Sequence, residues 1–168
     1  MKLALKFIAF AFLTIAPLST YAQSNVAHIN VQQLISEMPE VVAAQNELAK
    51  LEKDYTTQID NAFKEFQTKA QSYSADAANQ TDVTNQARQK ELESMQTNLQ
   101  EFRDSAAQEL QKKQMDLMTP LLEKARNAIT KVGQEQGFDY VIDASPNGGI
   151  ILADGKDLIE DVKRELGF

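Results

Sequence analysis

The sequence predicts an α+β fold: a long antiparallel helical hairpin, or coiled-coil arm, projecting from a small β-sheet body that assembles into an oligomeric β-barrel-like core. Three observations carry this expectation. Across residues 40–135 the only glycine is Gly133 and the only proline is Pro120, while Ala, Glu, Gln, Lys and Leu dominate, which is a helical composition. One polar run, residues 74–85, divides that stretch in two. At the two ends of the chain, short segments are apolar or alternate apolar with polar residues, as strands do.

Residues 1–22 stand apart from the fold. Lys2 and Lys6 precede an apolar run over 7–18, and the small residues Thr20 and Ala22 precede Gln23. This is the pattern of a cleavable secretory signal peptide, with cleavage expected before Gln23. The apolar run is about a dozen residues, against the roughly 20 a spanning helix needs, so stable membrane insertion is not expected. Removing 22 residues and their two lysines from 168 residues at net −7 leaves 146 residues at net −9. The working protein is expected to be exported, soluble and acidic. It has no cysteine, so its stability must come from packing or assembly rather than disulfides.

The first mature segment, residues 26–31, alternates Ala27, Ile29 and Val31 against His28 and Asn30, which predicts a strand. The outgoing arm follows, with Leu48, Leu51, Tyr55, Ile59, Ala62 or Phe63, Phe66, Ala70 and Tyr73 spaced in threes and fours. The stripe stops over 74–85, which predicts the turn, and Asp82 or Thr81 can cap the next helix by accepting from its exposed amides. It resumes at Leu92, Met95, Leu99, Phe102, Ala106 and Leu110, at near-heptad steps. Two such stripes joined by a polar turn bury each other by folding back. Legs of about 33 residues would each reach roughly 50 Å.

Pro120 falls inside the returning helix, where it removes a backbone hydrogen bond and predicts a kink or arm hinge. Beyond it Leu121, Ala125, Ala128 or Ile129 and Val132 continue until Gly133 and Gly137, which should end the helix. Residues 140–143 and 150–153 then read as two strands of a β-hairpin, with Asn147-Gly148 in its turn. A closing helix is expected from Asp157, with Glu160 as its capping-box partner, through Ile159 and Val162 to Leu166. The arm is thus 46–121, with its tip near 74–85, and the body is 23–45 with 122–168. A body of roughly 70 residues buries too little surface to be comfortable alone, and its strand edges invite pairing. Self-association through Ala27, Ile29, Val31, Val141, Ile142, Ile150 and Leu152 answers both needs.

The chemistry of catalysis is missing. His28 is the only imidazole and has no partner constellation. Asp154, Asp157 and Asp161 lack the order and terminal Glu of a calcium loop. Gly148, Gly149 and Gly155 do not open a helix after a strand as a dinucleotide fingerprint does. No metal, no cofactor and no enzymatic activity are expected. Around the arm tip Lys64, Lys69, Arg88, Lys90 and Arg103 are interleaved with acidic residues, so no basic stripe exists to bind nucleic acid. What remains is mechanical. Two helices cannot fully cover Tyr55, Phe63, Phe66, Tyr73, Met95 and Phe102, and such scattered aromatic and Met surface suits weak, sequence-tolerant binding of another chain.

Over nearly its whole mature length the sequence resembles the Skp/OmpH family of periplasmic chaperones. The resemblance lies in Val26-Ala27-His28-Ile29-Asn30 leading into a helix, in Met38-Pro39-Glu40, and in Gly137-Phe138-Asp139-Tyr140-Val141-Ile142-Asp143-Ala144. Ile151-Leu152-Ala153-Asp154 and Asp157-Leu158-Ile159 complete it. The resemblance implies a homotrimer with a small barrel-like body and three arms around a cavity. It also implies a periplasmic location and a function: holding unfolded outer-membrane β-barrel proteins soluble without ATP. Members of this family are often strongly basic, with arm tips tied to lipopolysaccharide. This chain is acidic, and no lipopolysaccharide site is carried over to it. The alternative is a coiled-coil adaptor or scaffold of the cell envelope, which would share every helical feature but retain a single folded partner.

Overall fold

The computed structural model describes residues 24–146 and 148–168, so the expected signal peptide, its cleavage point and Asn147 lie outside the described residues. Along the chain come β1 (Val26–Ile29), α1 (Val31–Glu37), α2 (Pro39–Asp76), a 3-10 turn (Ala77–Asn79), α3 (Asp82–Glu135), β2 (Tyr140–Asp143), β3 (Lys156–Asp157) and α4 (Ile159–Leu166). Long helices thus dominate a small sheet.

The first strand is shorter than its alternation suggests. It ends at Ile29 because Asn30 turns out of the strand and caps α1, its Oδ1 accepting from Gln33 N–H at 2.9 Å. Val31 is therefore the first residue of a helix and not a strand residue. Met38 is extended ahead of Pro39, as a residue before proline must be, and Pro39 opens α2 at a position where its missing N–H costs nothing.

The arm is longer and its tip tighter than expected. α2 has 38 residues and α3 has 54, about 57 and 81 Å at 1.5 Å per residue. Helix persists through Ser74, Ala75 and Asp76 and resumes at Asp82, with Thr81 Oγ1 accepting from Thr84 N–H at 3.2 Å. The polar run stays helical so far because it is closed by ion pairing: Arg88 reaches back to Asp76 at 3.1 Å. Cross-helix partners step in opposite directions, Glu40 with Lys124, Glu47 with Lys113, Lys69 with Glu91, which makes the hairpin antiparallel.

α3 runs uninterrupted through Pro120. It ends two residues beyond Gly133, at Glu135, in a Schellman arrangement: Gly137 takes φ +74°, Phe138 N–H donates to the Gly133 carbonyl at 2.9 Å and Gly137 N–H to that of Gln134 at 3.1 Å. Gly133 thus belongs to the helix. It is glycine for a packing reason, since a Cβ built there would lie 2.7 Å from Val141 Cγ2, and its absence lets α3 lie against β2.

The expected β-hairpin is not formed. The sheet order is β2-β1-β3, and both neighbours run parallel to β1, pairing Val26 with Tyr140, His28 with Ile142 and His28 with Asp157. A parallel strand needs a crossover, and residues 144–155 are spent carrying the chain from one side of β1 to the other. Ile150 and Leu152 are accordingly not strand residues here; Ile151 and Leu152 are 102% and 81% exposed. Asp157 is in β3 and does not begin the closing helix, although its Oδ1 accepts from Ile159 N–H at 2.9 Å. Glu160 makes no capping box; it pairs with Lys163.

The core lies where α1, the start of α2, the end of α3 and α4 cover one face of the sheet. Ala27, Ile29, Leu34, Met38, Val41, Ala125, Ala128, Val132, Leu158, Ile159 and Val162 form one buried cluster. Among the described residues no helix is long and apolar enough to cross a membrane.

Candidate functional site

The sequence-predicted arm residues do not converge on one pocket. Tyr55 and Phe102 meet across the hairpin edge-to-face, with ring centroids 6.0 Å apart at 73°, and the Tyr55 hydroxyl donates to Glu109. Phe63 and Phe66 neighbour each other along α2, 6.5 Å apart and nearly parallel. They line a shallow groove of about 460 Å³ with Leu99 and Arg103, whose guanidinium lies 6.0 Å from the Phe63 ring. Tyr73 and Met95 stand elsewhere, each half-buried. From Tyr55 to Tyr73 the surface extends about 27 Å along α2.

Tyr73 belongs to a polar clasp near the tip. Its hydroxyl donates to Glu91 at 2.6 Å, Lys69 pairs with the other oxygen of Glu91 at 2.5 Å, and Arg88 lies 4.7 Å above its ring. Lys69 first, then Tyr73, hold the Glu91 carboxyl below its ordinary range, and Glu91 in turn raises both of them. Arg88 likewise lowers Asp76.

The arm as a whole is poorly buried. Between Gln45 and Lys124, a stretch described throughout, only Leu99 and Ala106 are buried. Five of the six predicted residues are half-buried and Phe63 is 40% exposed. Residues that sequence reasoning missed are more open: Val83 at the tip, Met115, and at the arm root Val42 and Leu122. Met115 and Leu122 precede Ile129 at seven-residue steps, a second stripe beside the one that closes the hairpin, and that spacing is the signal by which those two could have been found. Leu122 and Ile129 enter a groove of about 580 Å³ with Val31, Ile35, Phe138 and Val141.

The body residues also divide. Ala27 and Ile29 are 1% exposed and face the helices, with Val141 in register with Ala27 on that side. The outward face is Val26, His28, Tyr140 and Ile142, of which sequence reasoning named only Ile142. Val31 lies in the groove, and Ile150 and Leu152 are exposed on the crossover. The end of β2 is fixed to α1 by side chains: Asp143 Oδ1 accepts from Val31 N–H at 3.3 Å and Ser145 Oγ from Gln32 N–H at 3.1 Å. Ser145 first, through its hydroxyl, holds the Asp143 carboxyl below its usual range. Among the described residues no three His, Asp or Glu side chains gather where they could hold a metal ion.

Comparison with known proteins adds a family to this geometry. The sequence model of the family described as Outer membrane protein (OmpH-like) matches residues 25–166. The chain is similar to the chaperone protein Skp of Yersinia enterocolitica, 26% identical over 160 residues, covering 92% of this chain and 93% of that protein. It is also similar to the chaperone protein Skp of Pectobacterium atrosepticum, 20% identical over 151 residues and 90% of each chain. Its fold matches a crystal structure from Caulobacter crescentus described as an OmpH-like outer membrane chaperone, with a TM-score of 0.75 over 86% of this chain and 85% of that one at 12% identity.

Proposed function

Because the chain belongs to the OmpH-like outer membrane protein family, we propose that it is an ATP-independent chaperone of the periplasm that holds unfolded outer-membrane β-barrel proteins and keeps them from aggregating. One observation supports this reading above the others: over some eighty residues of paired helix, from Gln45 to Lys124, only Leu99 and Ala106 are buried, leaving a long, partly apolar surface open to another chain. Two helices have too little thickness to hide their own stripes.

Three copies joined through their bodies would set three such arms around a space. A client held there is kept from other clients, and contacts that are individually weak add through effective concentration. Tyr55, Phe63, Phe66, Tyr73, Met95 and Phe102 offer part of that surface, and the more open Met115 and Leu122 extend it toward the body. Because apolar contact carries the binding, uptake should depend weakly on salt. No lipopolysaccharide site is carried over to this chain, and nucleic acid is not expected as a partner, since the sequence has no basic tip or stripe.

The test is client tolerance. Light scattering of several unrelated barrels, diluted from denaturant, should fall in the presence of the processed chain without ATP. A chain that leaves all of them to aggregate while retaining one folded envelope protein is an adaptor.

A further inference from the structure

We propose that the groove at Phe63 and Phe66 takes one class of client segment: the end of an unfolded transmembrane β-strand, where a carboxylate and two aromatic rings fall on the same side of an extended chain. The inference rests on the client-binding part of the function proposed above and names what that surface recognises. Of the five arm aromatics, three are engaged elsewhere. Tyr55 and Phe102 meet across the hairpin, and Tyr73 is tied to Glu91 beneath Arg88. Phe63 and Phe66 instead stand side by side on α2, their ring centroids 6.5 Å apart and their planes 23° from parallel.

The spacing of the two rings is that of an extended chain. In a strand, side chains i and i+2 point to one face and lie about 6.8 Å apart, while i+1 points to the other. A segment laid along the groove therefore sets two successive same-face side chains against Phe63 and Phe66 in turn.

Arg103 supplies a third point. Its guanidinium lies 6.0 Å from the Phe63 ring and makes no ion pair among the described residues, whereas Arg88 is spent on Asp76. The register that pairs Glu47 with Lys113 and Lys69 with Glu91 sets Arg103 on the root side of Phe63, and Phe66 follows on the tip side. Cation, ring and ring thus succeed one another along the arm at nearly one step. An extended segment with a carboxylate at i−2 and aromatic residues at i and i+2 meets all three.

Strands of outer-membrane barrels can carry that order at their ends. Their lipid-facing residues alternate with lumen-facing ones, aromatic girdles mark both interfaces, and a charge on the lipid-facing side costs little once it lies outside the girdle. The rest of the groove, about 460 Å³ in all, suits a bare extended backbone: Leu99 lines it together with Gln96 and Gln100, whose amides donate and accept whatever the client's sequence. An exposed ion pair at Arg103 adds little strength, so it sets which end of the segment lies toward the body, and uptake stays weakly dependent on salt.

Fluorescence anisotropy of labelled peptides of one composition, titrated with the processed chain, tests the inference. A peptide with Asp at i−2 and Phe at i and i+2 should bind about fivefold tighter than peptides whose two Phe stand at i, i+1 or at i, i+3, the size of one lost aromatic contact. Phe63→Leu and Phe66→Leu, with helix content checked by circular dichroism, should bring the three peptides within twofold of one another. Arg103→Met should erase the smaller advantage of Asp at i−2 over Asp at i−1. A benzophenone-bearing form of the first peptide, photo-crosslinked to wild type and mapped by mass spectrometry, should mark residues 63–66 and 96–103. Equal binding of the three peptides, no binding of any, a preference that the Phe variants keep, or crosslinks spread along the arm would each overturn the inference. If barrels are still kept from aggregating in that case, the chaperone reading stands without it; barrels that aggregate regardless remove both.

Discussion

Gly133 shows how one atom sets the position of a long element. A Cβ there would press into Val141 Cγ2 at 2.7 Å, and a valine in a strand has little freedom to turn away. Gly133→Ala should therefore lower stability by about 1–2 kcal/mol in thermal unfolding, although alanine is intrinsically the better helix former. Asp161 gives a prediction of opposite character. Gln136 first, then Lys156, hold its carboxyl down to about 2 from an ordinary 3.8. A depressed carboxylate contributes stability that is complete above its unfolded value and is lost as pH falls through the folded one, here from about 4 to about 2. Circular dichroism should show acid unfolding of wild type steepening in that window, and Asp161→Asn should flatten it. Neither residue was legible beforehand: Gly133 reads as a helix stop until Val141 is known to lie beside it, and Asp161 reads as a surface acid until Gln136 and Lys156 arrive from other elements.

At the scale of elements, what lies within one helix was legible and what lies between strands was not. Composition and stripe spacing located the two arm helices and their order, because burial on a helix repeats along the chain itself. The tip was read too long because polarity was taken for a turn, while Arg88 and Asp76 hold that segment closed. The strand pairing failed for a deeper reason. Residues 150–153 have strand-forming side chains, but they lie in the crossover that carries the chain past β1 to β3, so they are not held beside β2 as a tight hairpin would hold them. The proposal that Pro120 is the arm hinge belongs at this scale. Pro120→Ala restores a backbone hydrogen bond and should stabilise α3 by up to ~3 kcal/mol. Small-angle scattering should then show a narrower range of arm spread, and an unchanged range discards the hinge.

For the whole molecule, the division of labour follows from thickness. Ala27, Leu34, Val41, Leu158 and Val162 are essentially out of water where helices and sheet meet, whereas the paired helices bury almost nothing once they leave that cluster. The single chain thus carries a small core, an open sheet face and a long, half-covered arm. On the proposed function, other copies of the chain complete the first two and a client occupies the third. The measurement that bears most directly on this account is sedimentation velocity of the processed chain with and without one unfolded outer-membrane barrel. The account predicts an elongated trimer that takes up a single client and remains soluble. A globular monomer that leaves the barrel to precipitate would contradict it.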